Sequence, residues 1–352
     1  MAAAARGGLS RGRGPLLVGA VLLAAAAAVA GYLYLRPYGA PEAVLPGYRV
    51  VADVPLAGGT GRFDYQSLDP ERHRLYVAHL GASQVVVVDT ATRRVLRTVE
   101  GVGDVHGVVW APQAGRLYAT ATGTNQLAVI DPEAGAVVAT VPTGRYPDGL
   151  AYDHDDARVL VSNQSGGTVT VVDAREHRRL GDVPVGGDVG NTQYDPATRR
   201  AYTAVGASNE LIAIDPVAMA VVGRIPLPGC EGAHGVQLHP TARAAYVACE
   251  GNAALVPVDL AAGEAGGAEA VGGVPDVLAL DPALGRLFVA AERGPLTVFA
   301  VDGPRLRKLA EGNAGPNAHS VAVDPATHEL FLPLNDLGGR PVLRVLSPVA
   351  DD

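Results

Sequence analysis

The chain of 352 residues carries 28 Lys and Arg against 36 Asp and Glu, a net charge of −8 at neutral pH. Without residues 1–36, which hold four arginines and no acid, the balance is 24 basic against 36 acidic residues, or −12, and this argues against nonspecific binding of nucleic acid, whose phosphates are met by Lys and Arg. Two cysteines are too few for a disulfide scaffold, and 44 Gly with 26 Pro are spread through the chain rather than gathered into a disordered linker.

Arg6, Arg11 and Arg13 precede an uncharged stretch from Pro15 to Leu35, 21 residues and long enough to cross a bilayer as one hydrophobic helix. Positive charge before the span places the N-terminus in the cytoplasm and the remainder in the periplasm or at the cell surface. Ala28-Val29-Ala30 also fits a small-residue cleavage site. Residues 1–36 therefore read as a signal anchor spanning 15–35 or a signal peptide removed after Ala30, and residues 37–47 as a linker.

From residue 48 to 348 the chain repeats. Segments beginning at Asp64, His106, Asp148, Gly190, His234, Asp276 and His319 follow one another at steps of 42, 42, 42, 44, 42 and 43 residues. A sustained period of this length marks a propeller or solenoid. Each unit opens on a short apolar segment, most often closing on Asp-Pro, and continues with a second strand such as Leu75 to Ala78. A Gly/Ser/Asn turn leads to a third strand ending on Asp (Asp89, Asp131, Asp173, Asp215, Asp259), and a fourth strand such as Arg94 to Val99 follows. Four strands in each of seven units predict an all-β, seven-bladed β-propeller. The seventh unit lacks a fourth strand, and Tyr48 to Pro55, which matches the fourth-strand pattern, is expected to complete it and close the ring.

Cys230 precedes the first strand of the fifth unit and Cys249 ends its second. Antiparallel pairing would bring Cys249 opposite His234, so in an oxidising compartment a disulfide is the economical reading. Two free thiols or a pair of metal ligands are the alternatives.

The first strand of each unit lines the channel of a propeller, so the seven starting residues form a ring at one mouth. The loop between second and third strands reaches the same face and carries His79, Asn163, Glu250, Glu292 and Asn335. Three histidines with carboxylates at a narrow mouth suit a divalent cation. On this reading His106, His234 and His319 are the metal ligands. Asp64, His79, Asp148, Asn163, Asp276 and Asn335 are further ligand contacts, and Glu250 and Glu292 are candidates for proton transfer. The competing reading makes the ring a set of strand-start caps around a water-filled channel.

There is no Cys-x-x-Cys-His, no His-Glu-x-x-His, no Gly-x-Ser-x-Gly and no phosphate-cradling Gly-rich loop, and Trp110 is the sole tryptophan. The expectation is a divalent metal ion, with no haem, no quinone and no nucleotide.

Tyr76-Val77-Ala78, Tyr246-Val247-Ala248, the third strands ending in Asp, and exits such as Val141-Pro142-Thr143-Gly144 resemble the YVTN-repeat family of bacterial extracytoplasmic seven-bladed propellers, over residues 48–348. The family includes members described as surface or nucleic-acid-binding proteins. Related propellers, lactonases and the streptogramin lyase, place metal or acid/base residues at the channel mouth, which here corresponds to His106, His234, His319, Glu250 and Glu292. Three functions follow. The first is a monomeric propeller, anchored or secreted, that binds a small ligand, metal ion or envelope protein at the mouth without turnover. The second is a metal-dependent lyase or hydrolase, lactonase-like, and the third is a structural interaction module of an envelope complex.

Overall fold

The structure, a computed structural model, describes residues 45–349; the 15–35 segment and its predicted helix lie outside them. Among the described residues no helix is long and apolar enough to cross a membrane. Seven separate sheets follow one another in chain order, each an antiparallel meander. Blade 2 is representative, with strands Val105–Ala111, Arg116–Ala121, Gln126–Asp131 and Ala136–Pro142 from the channel outwards. The second and third strands are apolar on both faces, as in Leu127 to Ile130, because each face meets a neighbouring blade. The fourth strand alternates buried and exposed positions, since one of its faces meets water.

Each blade interface carries its own apolar core, so seven clusters run around the ring. Tyr76, Val85 and Val87 meet Leu117, Ala119 and Ile130 between blades 1 and 2, and Phe288 and Val298 meet Leu332 and Leu346 between blades 6 and 7. Burial of one such side chain contributes about 1.5–3 kcal/mol. In blades 2 to 5 the Asp closing the third strand holds the turn that follows: Asp131 Oδ1 accepts the amides of Glu133 and Ala134, and Asp173, Asp215 and Asp259 repeat the arrangement.

Ring closure follows the sequence expectation. Tyr48–Pro55 pairs antiparallel with Val342–Pro348 and supplies the outer strand of blade 7. Arg344 donates to both carboxylate oxygens of Asp53, at 2.8 and 2.9 Å, and to the Ala314 carbonyl. Blade 5 departs from the pattern at its edge, where Gly266 and Gly267 divide the outer strand into Glu264–Ala265 and Glu269–Ala270. Cys230 and Cys249 form a disulfide with Cα atoms 5.4 Å apart. Cys249 pairs with Ala233 rather than His234, because the inner strand bulges between Ala233 and Val236.

Candidate functional site

That bulge recurs. In blades 2 to 6 the inner strand loses register with its neighbour at one place, between Val105 and Val108, Pro147 and Leu150, Val189 and Thr192, Ala233 and Val236, and Pro275 and Leu278. The first residue inside each gap is the ring residue. A bulge adds twist and re-aims a side chain, and His106, Asp148, His234 and Asp276 all line a cavity of about 620 Å³ at the channel mouth. The second residue in the gap is Gly107, Gly149 or Gly235 in three blades. A Cβ on Gly235 would stand 2.0 Å from the Asp276 carbonyl oxygen and one on Gly107 2.4 Å from that of Asp148, so the inner strands touch backbone to backbone. At Gly190 a Cβ would meet the His234 backbone at 2.5 Å, which explains why blade 4 adds no side chain to the ring.

Three triads of donor atoms result, each within 4.8 Å: Asp64, His106 and Asp148; Asp64, Asp276 and His319; His234, Glu250 and Asp276. His106, His234 and His319 do not gather into one three-histidine set. Aspartates stand between them around the ring, and neighbouring imidazoles share carboxylates. His234 Nε2 lies 3.6 Å from Asp148, 3.8 Å from Glu250 and 3.8 Å from Asp276. His106 Nε2 lies 4.0 Å from Asp64. His319 is fully buried behind Asp276, 3.9 Å away, and does not line the cavity. Its Nε2 and Asp276 Oδ1 are buried with no hydrogen-bond partner in the protein, a costly arrangement that a cation between such groups would relieve.

Two phenols face the two imidazoles that line the cavity. Tyr65 Oη is 3.2 Å from His234 Nε2, and Tyr146 Oη is 3.3 Å from His106 Nε2. The His106 ring is held from behind, its Nδ1 meeting the Asp104 carbonyl at 2.8 Å and Thr122 Oγ1 at 2.9 Å. Arg62 reaches over the mouth to pair with Glu292, with Asp276 at 3.5 Å and with Asp64 at 3.9 Å.

Other residues named from the sequence stand elsewhere. His79 is buried and stacked on Phe63 with ring centroids 4.0 Å apart, outside the cavity. Asn163 is buried, donating to Thr168 and Thr170 and accepting from the Gly144 amide. Asn335 does not line the cavity either, whereas Glu250 and Glu292 do. Sequence reasoning passed over Arg62, Tyr65 and Tyr146. Tyr65 stands where three other units carry Gly107, Gly149 and Gly235, and Arg62 and Tyr146 each precede a ring residue by two, so a reading of the repeat on both sides of the ring position contains the signal.

Burial and crowding of like charge set the electrostatics. Burial, reinforced by Asp276 and Asp148, pushes the Asp64 carboxyl well above its ordinary range, and burial raises Asp148. Burial lifts Glu250 to about 7 despite the neighbouring His234. Burial alone would lower His234, but Glu250, Asp148 and Asp276 outweigh it and raise its pKa. His319 and His79 are lowered by burial. Burial also opposes the charge on Arg62, yet Asp64, Asp276 and Glu292 hold it firmly protonated. The mouth therefore concentrates negative potential on a few imidazole and carboxylate donors, a setting for a cationic centre.

Over residues 73–214 the chain matches the family model of the cytochrome D1 heme domain. The match supports a seven-bladed propeller and does not extend to the YVTN-repeat name. It also overturns the expectation of no haem. That expectation rested on the missing Cys-x-x-Cys-His, a motif that reports only covalent attachment, whereas haem iron needs no more than a suitably placed imidazole. Among solved structures, Kuenenia stuttgartiensis hydrazine synthase is similar with a TM-score of 0.71 and 15% identity, covering 88% of this chain and 100% of that one. A chain of a mitotic checkpoint complex is similar with a TM-score of 0.71 and 12% identity, covering 90% of this chain and 95% of that one. At these identities the likeness is one of fold. No curated protein matches the chain by sequence.

Proposed function

We propose that this protein is an extracytoplasmic propeller whose channel mouth binds a metal-bearing ligand, either a free cation or an iron-centred macrocycle such as haem. The observation that carries the reading is the set of three linked His/Asp/Glu triads, with Asp276 Oδ1 and His319 Nε2 buried and unpartnered. The donor set fits haem as well as a bare ion. His234 or His106 would hold the iron, and Arg62 would meet a carboxylate of the bound group. Bound haem would supply ligand binding or electron transfer at iron. The chain's own residues then act in three ways: carboxylates favour net positive charge, Thr122 and the Asp104 carbonyl orient the His106 ring, and the Tyr65 and Tyr146 hydroxyls stand within hydrogen-bonding distance of the Nε2 atoms of His234 and His106. The Cys230–Cys249 disulfide supports an oxidising compartment.

A second reading, proton transfer at the same mouth, is favoured by Glu250, whose pKa of about 7 suits a general base beside His234.

The test is elemental mass spectrometry of the full-length chain, purified without a His tag or chelator, beside a haem titration followed by absorbance. The parent should hold close to one metal per chain or take up haem to one equivalent, and His234→Ala should lose either capacity. A His234→Ala protein that binds metal and haem as the parent does would overturn the assignment. Turnover lost in Glu250→Gln with metal content kept would establish the second reading.

A further inference from the structure

The end of the strands opposite the mouth holds a second cavity, about 500 Å³, between blades 2 and 3. Its polar walls are Gln113, Arg116, Tyr152, His154, Arg175 and His177, and no carboxylate lines it. That is unexpected in a propeller, residues 48–348, of net charge −9. Most of the nearby acids are engaged elsewhere, although Asp153 Oδ2 is buried without a hydrogen-bond partner. Asp153 Oδ1 accepts the amides of Asp155 and Asp156, Asp173 Oδ1 those of Arg175 and Glu176, and Asp156 pairs with Arg199 at 2.7 Å. Asp131 sits 3.4 Å from Arg116 and caps its own turn. Arg175 donates to the Asp156 carbonyl and forms no ion pair among the described residues.

Two further observations point to a ligand. The Tyr152 hydroxyl is buried with no hydrogen-bond partner. His154 departs from the repeat: the other six units place Pro there (Pro70, Pro112, Pro196, Pro240, Pro282, Pro325), so the turn itself does not call for an imidazole. Both rings are positioned, His177 edge-on to Tyr118 and His154 edge-on to Tyr194, with centroids 6.1 and 5.7 Å apart.

We propose that this groove is an anion site for a phosphate group, free or carried on a small organic molecule. Two guanidiniums, two imidazoles, an amide and a phenol offer donors, and guanidinium matches the geometry of phosphate oxygens. The volume beyond the phosphate, floored by Ala157 and Ala174, leaves room for an organic substituent.

The experiment is calorimetric titration of the full-length chain with inorganic phosphate and, separately, with phenyl phosphate at constant ionic strength. Saturable binding is expected with one or both, with a dissociation constant in the millimolar range or below. An Arg175→Gln/His177→Gln variant should weaken it about tenfold or more. Arg305→Gln removes one exposed charge far from the groove and should bind as the parent does. Stronger binding of phenyl phosphate identifies a phosphate monoester, and equal binding identifies the free anion. No saturation up to about 20 mM, or equal binding by the double variant with an unchanged unfolding midpoint, would overturn the proposal. A failure at the mouth leaves this result untouched, because the two cavities share no lining residue.

Discussion

Arg62 brings a guanidinium to a mouth otherwise rich in carboxylates, and it pairs with Asp64 and Asp276, the two residues shared between triads. A tethered cation of this kind competes with any metal for the same oxygens. Arg62→Met should therefore tighten divalent-cation binding, by about tenfold if the competition is worth about 1.4 kcal/mol; isothermal titration reads the change, unaltered affinity would show that Arg62 does not compete, and weaker affinity that it helps to hold the ligand. The mouth also sets a pH dependence. Glu250, raised to about 7, and His234, also raised, contribute stability at low pH that is lost as pH rises through their folded values. His79 and His319 are lowered and act in the opposite sense, but only below their ordinary value of 6.5. Between pH 6.5 and about 8 the metal-free protein should thus lose stability with rising pH. Saturating cation should flatten that slope, as thermal unfolding at several pH values would show.

At the scale of single elements, the inner-strand bulge does more for the site than any ring residue alone. The sequence period is enough to locate His106, Asp148, His234 and Asp276, because each opens its unit. It says nothing of direction, and one extra residue in a strand decides whether a side chain faces the next blade or the channel. The same local shift moved the partner of Cys249 from His234 to Ala233. His79 and Asn163 show the complementary difficulty. Both occupy the loop that carries Glu250 and Glu292 to the cavity, yet stacking on Phe63 absorbs one and hydrogen bonds to Thr168, Thr170 and Gly144 absorb the other. Such contacts depend on residues far from the repeat position. Gly235→Ala tests the backbone contact behind the ring: a methyl 2.0 Å from the Asp276 carbonyl forces two inner strands apart, and a loss of about 3 kcal/mol is expected by chemical denaturation. Gly267→Ala, where a methyl meets nothing within 4 Å, should stay within about 0.5 kcal/mol of the parent.

For the whole molecule, the fold was legible because the blade grammar repeats seven times and the odd fourth strand had one place to go. The energetic counterpart of that closure is the clasp between Arg344 and Asp53. Asp53→Ala leaves a largely buried guanidinium with only the Ala314 carbonyl, and should cost about 2–3 kcal/mol in an unfolding titration, with the outer strand of blade 7 losing hydrogen-exchange protection first.

Closure has a consequence in time. The candidate donors come from blades 1, 2, 3, 5, 6 and 7, so the mouth is assembled from both sides of the seam between Tyr48–Pro55 and Val342–Pro348. A chain emerging from the ribosome or crossing a membrane has the first of these strands long before the second, and until they meet the six blades cannot converge on one centre. On the proposed reading, a ligand would be taken up only by the finished ring, and a premature encounter with a metal would find only scattered side chains.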